Sequence, residues 1–101
     1  MLVTLRKSNK PDKKFKVIVN NRTIFERPAV VHFGAKGMSD YTKHKNKDRK
    51  LLYLSRHRKN ENWTKSGIKT AGFWSRWLLW NKPSLLSSKR DIEKRFGVVF
   101  V

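Results

Sequence analysis

Residues 70–85, TAGFWSRWLLWNKPSL, carry most of the apolar bulk that a fold can be built around. Thr70 has the hydroxyl of a helix N-cap, and the apolar residues behind it recur at helical spacing. At 100° per residue, Phe73, Trp77 and Trp80 fall within about 60° of one another, with Trp74 and Leu78 beside them. Pro83 disfavours helix at Lys82, so the helix closes near Trp80. The spacing predicts a Trp-rich helix over 70–80. Rings at i, i+4 and i+7 are first of all core, though stacking on bases or seating in a lipid interface would use the same residues. Trp63, Trp74, Trp77 and Trp80 are the candidates for core or interface aromatics, with one of them left for an intermolecular contact.

Outward from that helix, Ser84 caps a further one over 84–96, in which Leu85, Ile92 and Phe96 share a narrow stripe and Gly97 is the stop. Residues 98–101, VVFV, are too apolar to stay free in water, and belong on a sheet edge or on a neighbouring molecule. On the other side lies a β-rich third over 1–33. LVTL at 2–5 is a short strand, followed by a turn at 8–12. Phe15, Val17 and Val19 alternate with Lys14, Lys16 and Ile18. Asn20-Asn21 suits a tight hairpin, with Thr23-Ile24-Phe25 returning and Ala29 to Phe33 as a further strand after Pro28. The expected class is α+β: one domain over 1–101, with an N-terminal antiparallel β-meander, three α-helices and a short C-terminal strand.

Between sheet and Trp-rich helix, residues 40–59 read as one basic helix, capped by Ser39 or Asp40. Tyr41, His44, Asp48, Leu51, Leu52 and Ser55 share a sector of roughly 100°, which is the side expected to pack. The cations around it are Lys43, Lys45, Lys47, Arg49, Lys50, Arg56, Arg58 and Lys59. They are the candidate polyanion-binding residues, since releasing counterions from a phosphate backbone rewards such a surface. No helix-turn-helix or zinc-finger spacing accompanies them, so sequence-specific readout is not expected.

Charge dominates the whole chain. Twenty-five of the 101 residues are Lys or Arg against seven Asp or Glu, a formal +18. The excess is spread evenly. Residues 1–33 carry +6 from eight basic and two acidic side chains, 34–59 carry +7 from nine and two, and 60–101 carry +5 from eight and three. A body so cationic repels itself unless something anionic lies against it: nucleic acid, an anionic lipid face or an acidic protein. Its 38 % hydrophobic content is too high for a disordered polycation, so a fold is expected. No apolar run is long enough to cross a membrane, and Arg6-Lys7 interrupts the only leader-like start.

The residue inventory speaks against catalysis. With no cysteine there is no thiolate nucleophile, disulfide or thiolate-bound zinc. Acids are too few and scattered for a metal-dependent nuclease. Asp91 and Glu93 stand two apart and do not share a helix face. His44 with Asp48, and His57 with Asn60, are the pairs at reach, and His44 is expected to be partly buried against Asp48. No enzyme activity, metal or cofactor is expected.

FGAKGMSDYTKHK (33–45), RHRKNENW (56–63), TAGFWSRWLLWNKPSL (70–85) and DIEKRF (91–96) resemble a family of small basic proteins of nucleocytoplasmic large DNA viruses. The resemblance covers about 33–96 and implies a viral setting and a virion role, without transferring any catalytic residue. The expectation is a structural virion protein, a minor capsid or cement component. It would contact other virion chains electrostatically and through aromatics, and localise to the virion and, during assembly, to the host cytoplasm or viral factory. The alternative is a non-sequence-specific DNA- or RNA-binding protein that packages or accompanies the genome. Peripheral contact with anionic lipid is a further possibility.

Overall fold

The computed structural model describes residues 1–21 and 27–101. Alternation builds the sheet. Strands β1 (Leu2–Lys7), β2 (Lys13–Asn20) and β3 (Ala29–Ala35) run antiparallel, with Val3 facing Val19, Val17 facing Val31 and Phe15 facing Phe33. The apolar partners lie on one face, and all but Phe15, which is half-buried, are 8 % exposed or less. β2 pairs directly with β3, Val19 opposite Ala29. The returning strand expected at Thr23-Ile24-Phe25 lies outside the described residues.

The sheet is mixed, not purely antiparallel. Its order is β3-β2-β1-β4, and β4 (Val99–Phe100) runs parallel to β1, with Leu2 facing Val99 and Val3 facing Phe100. A parallel neighbour needs a crossover, and the helical half of the chain supplies it. The C-terminal segment thus finds this chain's own sheet edge. Val98 is 2 % exposed, Val101 N–H donates to Val3 O at 2.9 Å, and Phe100 N–H is clipped by Glu93 Oε2 at 3.0 Å.

Among the described residues four α-helices replace the three expected. The predicted 40–59 helix is two, α1 (Tyr41–His44) and α2 (Lys47–His57). Lys45 between them adopts the left-handed conformation at φ 55°, and Asn46 then restarts the helix, its side chain accepting from the Asp48 and Arg49 N–H groups. The Trp-rich helix starts as predicted, with Thr70 capping α3 (Ala71–Trp74), but widens into a π-helical stretch over Ser75–Leu79, closed by Trp80 N–H to Ser75 O at 3.1 Å. The wider turn lets three consecutive side chains, Trp77, Leu78 and Leu79, all go inwards. Helix α4 (Leu85–Phe96) matches expectation, capped by Ser84 and ended by Gly97 at φ 69°.

One core joins the layers. Phe73, Trp74, Leu78 and Ile92 are fully buried against Val3, Val17 and Phe33 of the sheet. Burial of large rings stabilises the fold only if their N–H groups are paired. Here Trp74 Nε1 donates to Ile68 O at 2.7 Å and Trp77 Nε1 to Trp63 O at 2.9 Å.

Candidate polyanion interface

Helix α2 is docked by aromatics. Tyr53, its buried residue, lies flat on Trp80 with ring centroids 4.3 Å apart and planes 5° apart, and His57 stacks on the other side of Tyr53 at 4.2 Å. His44 of α1 covers Trp80 at 5.3 Å, and Tyr41 meets His44 edge-on at 6.2 Å. This ladder fixes the rotation of α2. The sector expected to pack holds only for its first part: Tyr41 is buried and His44 half-buried, whereas Leu51 and Leu52 are 61 % and 60 % exposed, and Asp48 and Ser55 also face water. Two leucines count for less than the stack that Tyr53 and His57 make on the opposite side.

The candidate cations divide accordingly. Lys43, Lys45, Lys47, Arg49, Arg56, Arg58 and Lys59 are exposed. Lys50 is not available: its Nζ donates to Asn81 O at 2.7 Å and sits 5.1 Å from the centre of the Tyr41 ring, and burial pulls its pKa down, helped by Arg76 and Lys82. Asp48 is the single acid from 41 to 59, so the exposed set is not neutralised by its own helices. Of the set, Lys45 folds back, its Nζ donating to Thr42 O at 3.0 Å; exposed cations outside internal ion pairs are what a polyanion site requires.

Other cations are structural, and sequence reasoning missed them. Lys14 forms a buried ion pair with Asp40 at 2.7 Å, while Asp40 also caps α1 through Thr42 N–H and accepts from the Thr42 hydroxyl. Arg76 lies on the Trp77 ring at 4.2 Å and near Trp63 at 5.4 Å, donating to Trp80 O at 3.0 Å. Arg95 covers Trp77 at 4.6 Å and holds Asp91 at 3.3 Å. The cue for Arg76 was its place inside a run of tryptophans. Of the four candidate aromatics, Trp74 and Trp77 are core and Trp63 and Trp80 half-buried; Trp80 leaves the Phe73 stripe to hold α2.

The expected histidine pairs are corrected. His44 Nδ1 accepts from Asn46 N–H at 2.9 Å rather than meeting Asp48, because the break at Lys45 separates the two helices. His57 pairs with Glu61 at 3.0 Å, not Asn60, and Glu61 also accepts from Trp63 Nε1 at 2.9 Å. Beside them a cavity of about 320 Å³ is lined by Tyr53, Leu79 and Trp80, with Lys13 and Arg56 among its basic residues. Among the described residues no three His, Asp or Glu side chains are grouped to hold a metal ion, and no helix is long and apolar enough to cross a membrane.

The stretch from β1 to the end of α2 is also where the chain meets known proteins. A family of unknown function, DUF5754, matches residues 3–57. The chain belongs to that family. No curated protein and no solved structure matches it. The DUF5754 stretch takes in the three antiparallel strands, the break at Lys45 and most of the exposed cations, and stops short of Arg58, Lys59 and the Trp-rich segment on which Tyr53 is stacked.

Proposed function

We propose that the protein is a structural component of a large DNA virus particle, a minor capsid or cement protein that binds neighbouring anionic surfaces through α1, α2 and the turn after them. The observation that carries the docking part is the set of seven exposed cations from Lys43 to Lys59, four on and three flanking helices that aromatic stacking holds in place. The viral setting is supported by the resemblance of residues 33–96. A cement protein works by complementary surface, with no enzyme activity, cofactor or recognition element. Arg76 and Arg95 lie against the Trp77 ring at 4.2 Å and 4.6 Å and so serve packing. Quantitative mass spectrometry of purified particles tests the assignment: a fixed, high copy number supports it, and absence from particles of a virus that expresses the protein in infected cells rejects it.

A second reading, non-sequence-specific binding of DNA or RNA during genome packaging, is favoured by Asp48 being the single acid from 41 to 59. It requires affinity for duplex DNA that falls steeply with salt and ignores sequence. Titration of labelled duplexes of unrelated sequence at several salt concentrations separates the two readings, because a cement protein selective for capsid chains shows no such affinity at physiological salt.

A further inference from the structure

The outward face of α2 has a composition that nucleic-acid binding leaves unexplained. With Tyr53 and His57 turned in, Ser55 and Asp48 occupy the middle of the outer side at 100° per residue, with Leu51 and Leu52 about 50° to either side of them. Lys47 stands on one flank, Arg56 and Arg49 on the other, and Asp48 is the one acid among them. The two leucines are bare for more than half their surface. A phosphate backbone offers no apolar recess for two bare leucines set between cationic flanks. The headgroup region of a bilayer offers both, phosphate outside and acyl chain beneath. Cations continue past both ends of α2, at Lys43 and Lys45 and at Arg58 and Lys59, which suits a laterally continuous anionic plane better than a discrete groove.

We propose that this face docks peripherally on an anionic lipid bilayer, with Leu51 and Leu52 entering the boundary between headgroups and acyl chains and the flanking Lys and Arg facing lipid phosphates. The inference rests on the cationic docking of the preceding reading and adds the leucines as a second, apolar signal. Both signals are needed, because a few residues' worth of apolar area anchors weakly without charge. Each Lys or Arg held near an anionic surface raises the partition roughly fivefold, an effect confined to about a Debye length.

The test is co-sedimentation of the full chain with vesicles of phosphatidylcholine alone and with vesicles containing phosphatidylserine, alongside duplex DNA titration. Binding to anionic vesicles at least about tenfold above neutral ones is expected. The double substitution Leu51→Ser, Leu52→Ser should lower vesicle binding about tenfold or more and leave DNA affinity unchanged, whereas Lys47→Glu with Arg56→Glu should lower vesicle binding strongly and any DNA binding with it. All four positions are exposed, so the variants keep the fold, which circular dichroism checks. Because the chain has no cysteine, Leu52→Cys carrying an environment-sensitive dye reads insertion directly as a blue shift on anionic vesicles. Vesicle binding untouched by the leucine substitutions, or DNA binding without vesicle binding, overturns the lipid proposal while leaving the cationic reading standing. Binding to neither overturns the lipid proposal and the nucleic-acid reading, and leaves docking on capsid chains to be decided by mass spectrometry of purified particles.

Discussion

Tyr53 and Trp80 lie parallel, 5° apart with ring centres at 4.3 Å, and this contact joins α2 to the end of the Trp-rich segment. Burial of the Tyr53 ring also holds its phenol proton more tightly, pushing the pKa above the ordinary tyrosine value, with Glu61 adding to the effect. The consequence for function is orientation: a helix pinned on this side must show Leu51, Leu52 and its free cations on the other.

Trp77 is the core ring whose loss is most informative. It is 8 % exposed, covered by Arg76 and Arg95, and bonded to Trp63 O. Trp77→Ala should cost on the order of 3–5 kcal/mol, a large share of the stability of a domain this size. Urea denaturation followed by circular dichroism gives the value. A variant that remains as stable as the parent would mark Trp77 as an interface residue instead.

Charge reversal should act differently at neighbouring lysines. Lys43→Glu with Lys47→Glu removes two exposed cations and should lower the salt slope of polyanion binding by about 2 or more, with little effect on melting. Lys50→Glu sets a carboxylate against Asn81 O and leaves that carbonyl without its donor. It should destabilise the fold by on the order of 1–3 kcal/mol. Thermal melts and salt-dependent titrations on both variants separate the roles.

Residues 98–101 belong to the fold before they belong to any partner. Deleting them exposes core around Val98, which alone contributes on the order of 1.5–3 kcal/mol of burial, and removes the ladder bonds to Met1 and Val3. The truncated chain should melt well below the parent. Val99→Lys with Val101→Lys, at positions 49 % and 67 % exposed, should keep the fold and therefore tests docking at this edge cleanly. Comparable melting of truncated and full chains would contradict the parallel pairing.

Acid should weaken the fold through histidine. His44 is held below the ordinary value of 6.5 mainly by burial, with Arg49 repelling its charged form and Asp40 opposing. His32, bonded to Ser8 Oγ at 2.7 Å, is shifted the same way by burial, Lys10 and Lys16, with Asp12 opposing. The unfolded chain then binds more protons than the folded one, so this stability is complete above the ordinary value and declines as pH falls through it, levelling off below the folded values. Melting temperature should drop between about pH 7.5 and pH 5.5, and His44→Gln should flatten part of that slope. An unchanged slope in the His32→Gln, His44→Gln double variant would assign the acid sensitivity elsewhere.

By itself the sequence determined what local rules govern. Alternation at Phe15, Val17 and Val19 specified β2 and its buried face, Thr70 and Ser84 specified helix starts, and Gly97 a helix end. Each depends on neighbours within a few residues, where capping, turn chemistry and side-chain period act. Tertiary structure decided the rest. The break at Lys45, the π-helical turn that buries Trp77, Leu78 and Leu79 together, and the parallel seat of Val99 beside Leu2 all serve contacts between segments far apart in the chain. The rotation of α2 is the clearest case. Leu51 and Leu52 are the more apolar pair, yet Tyr53 and His57 face inwards, because Trp80 offers them a ring to stack on and nothing in residues 41–59 announces where that ring will be.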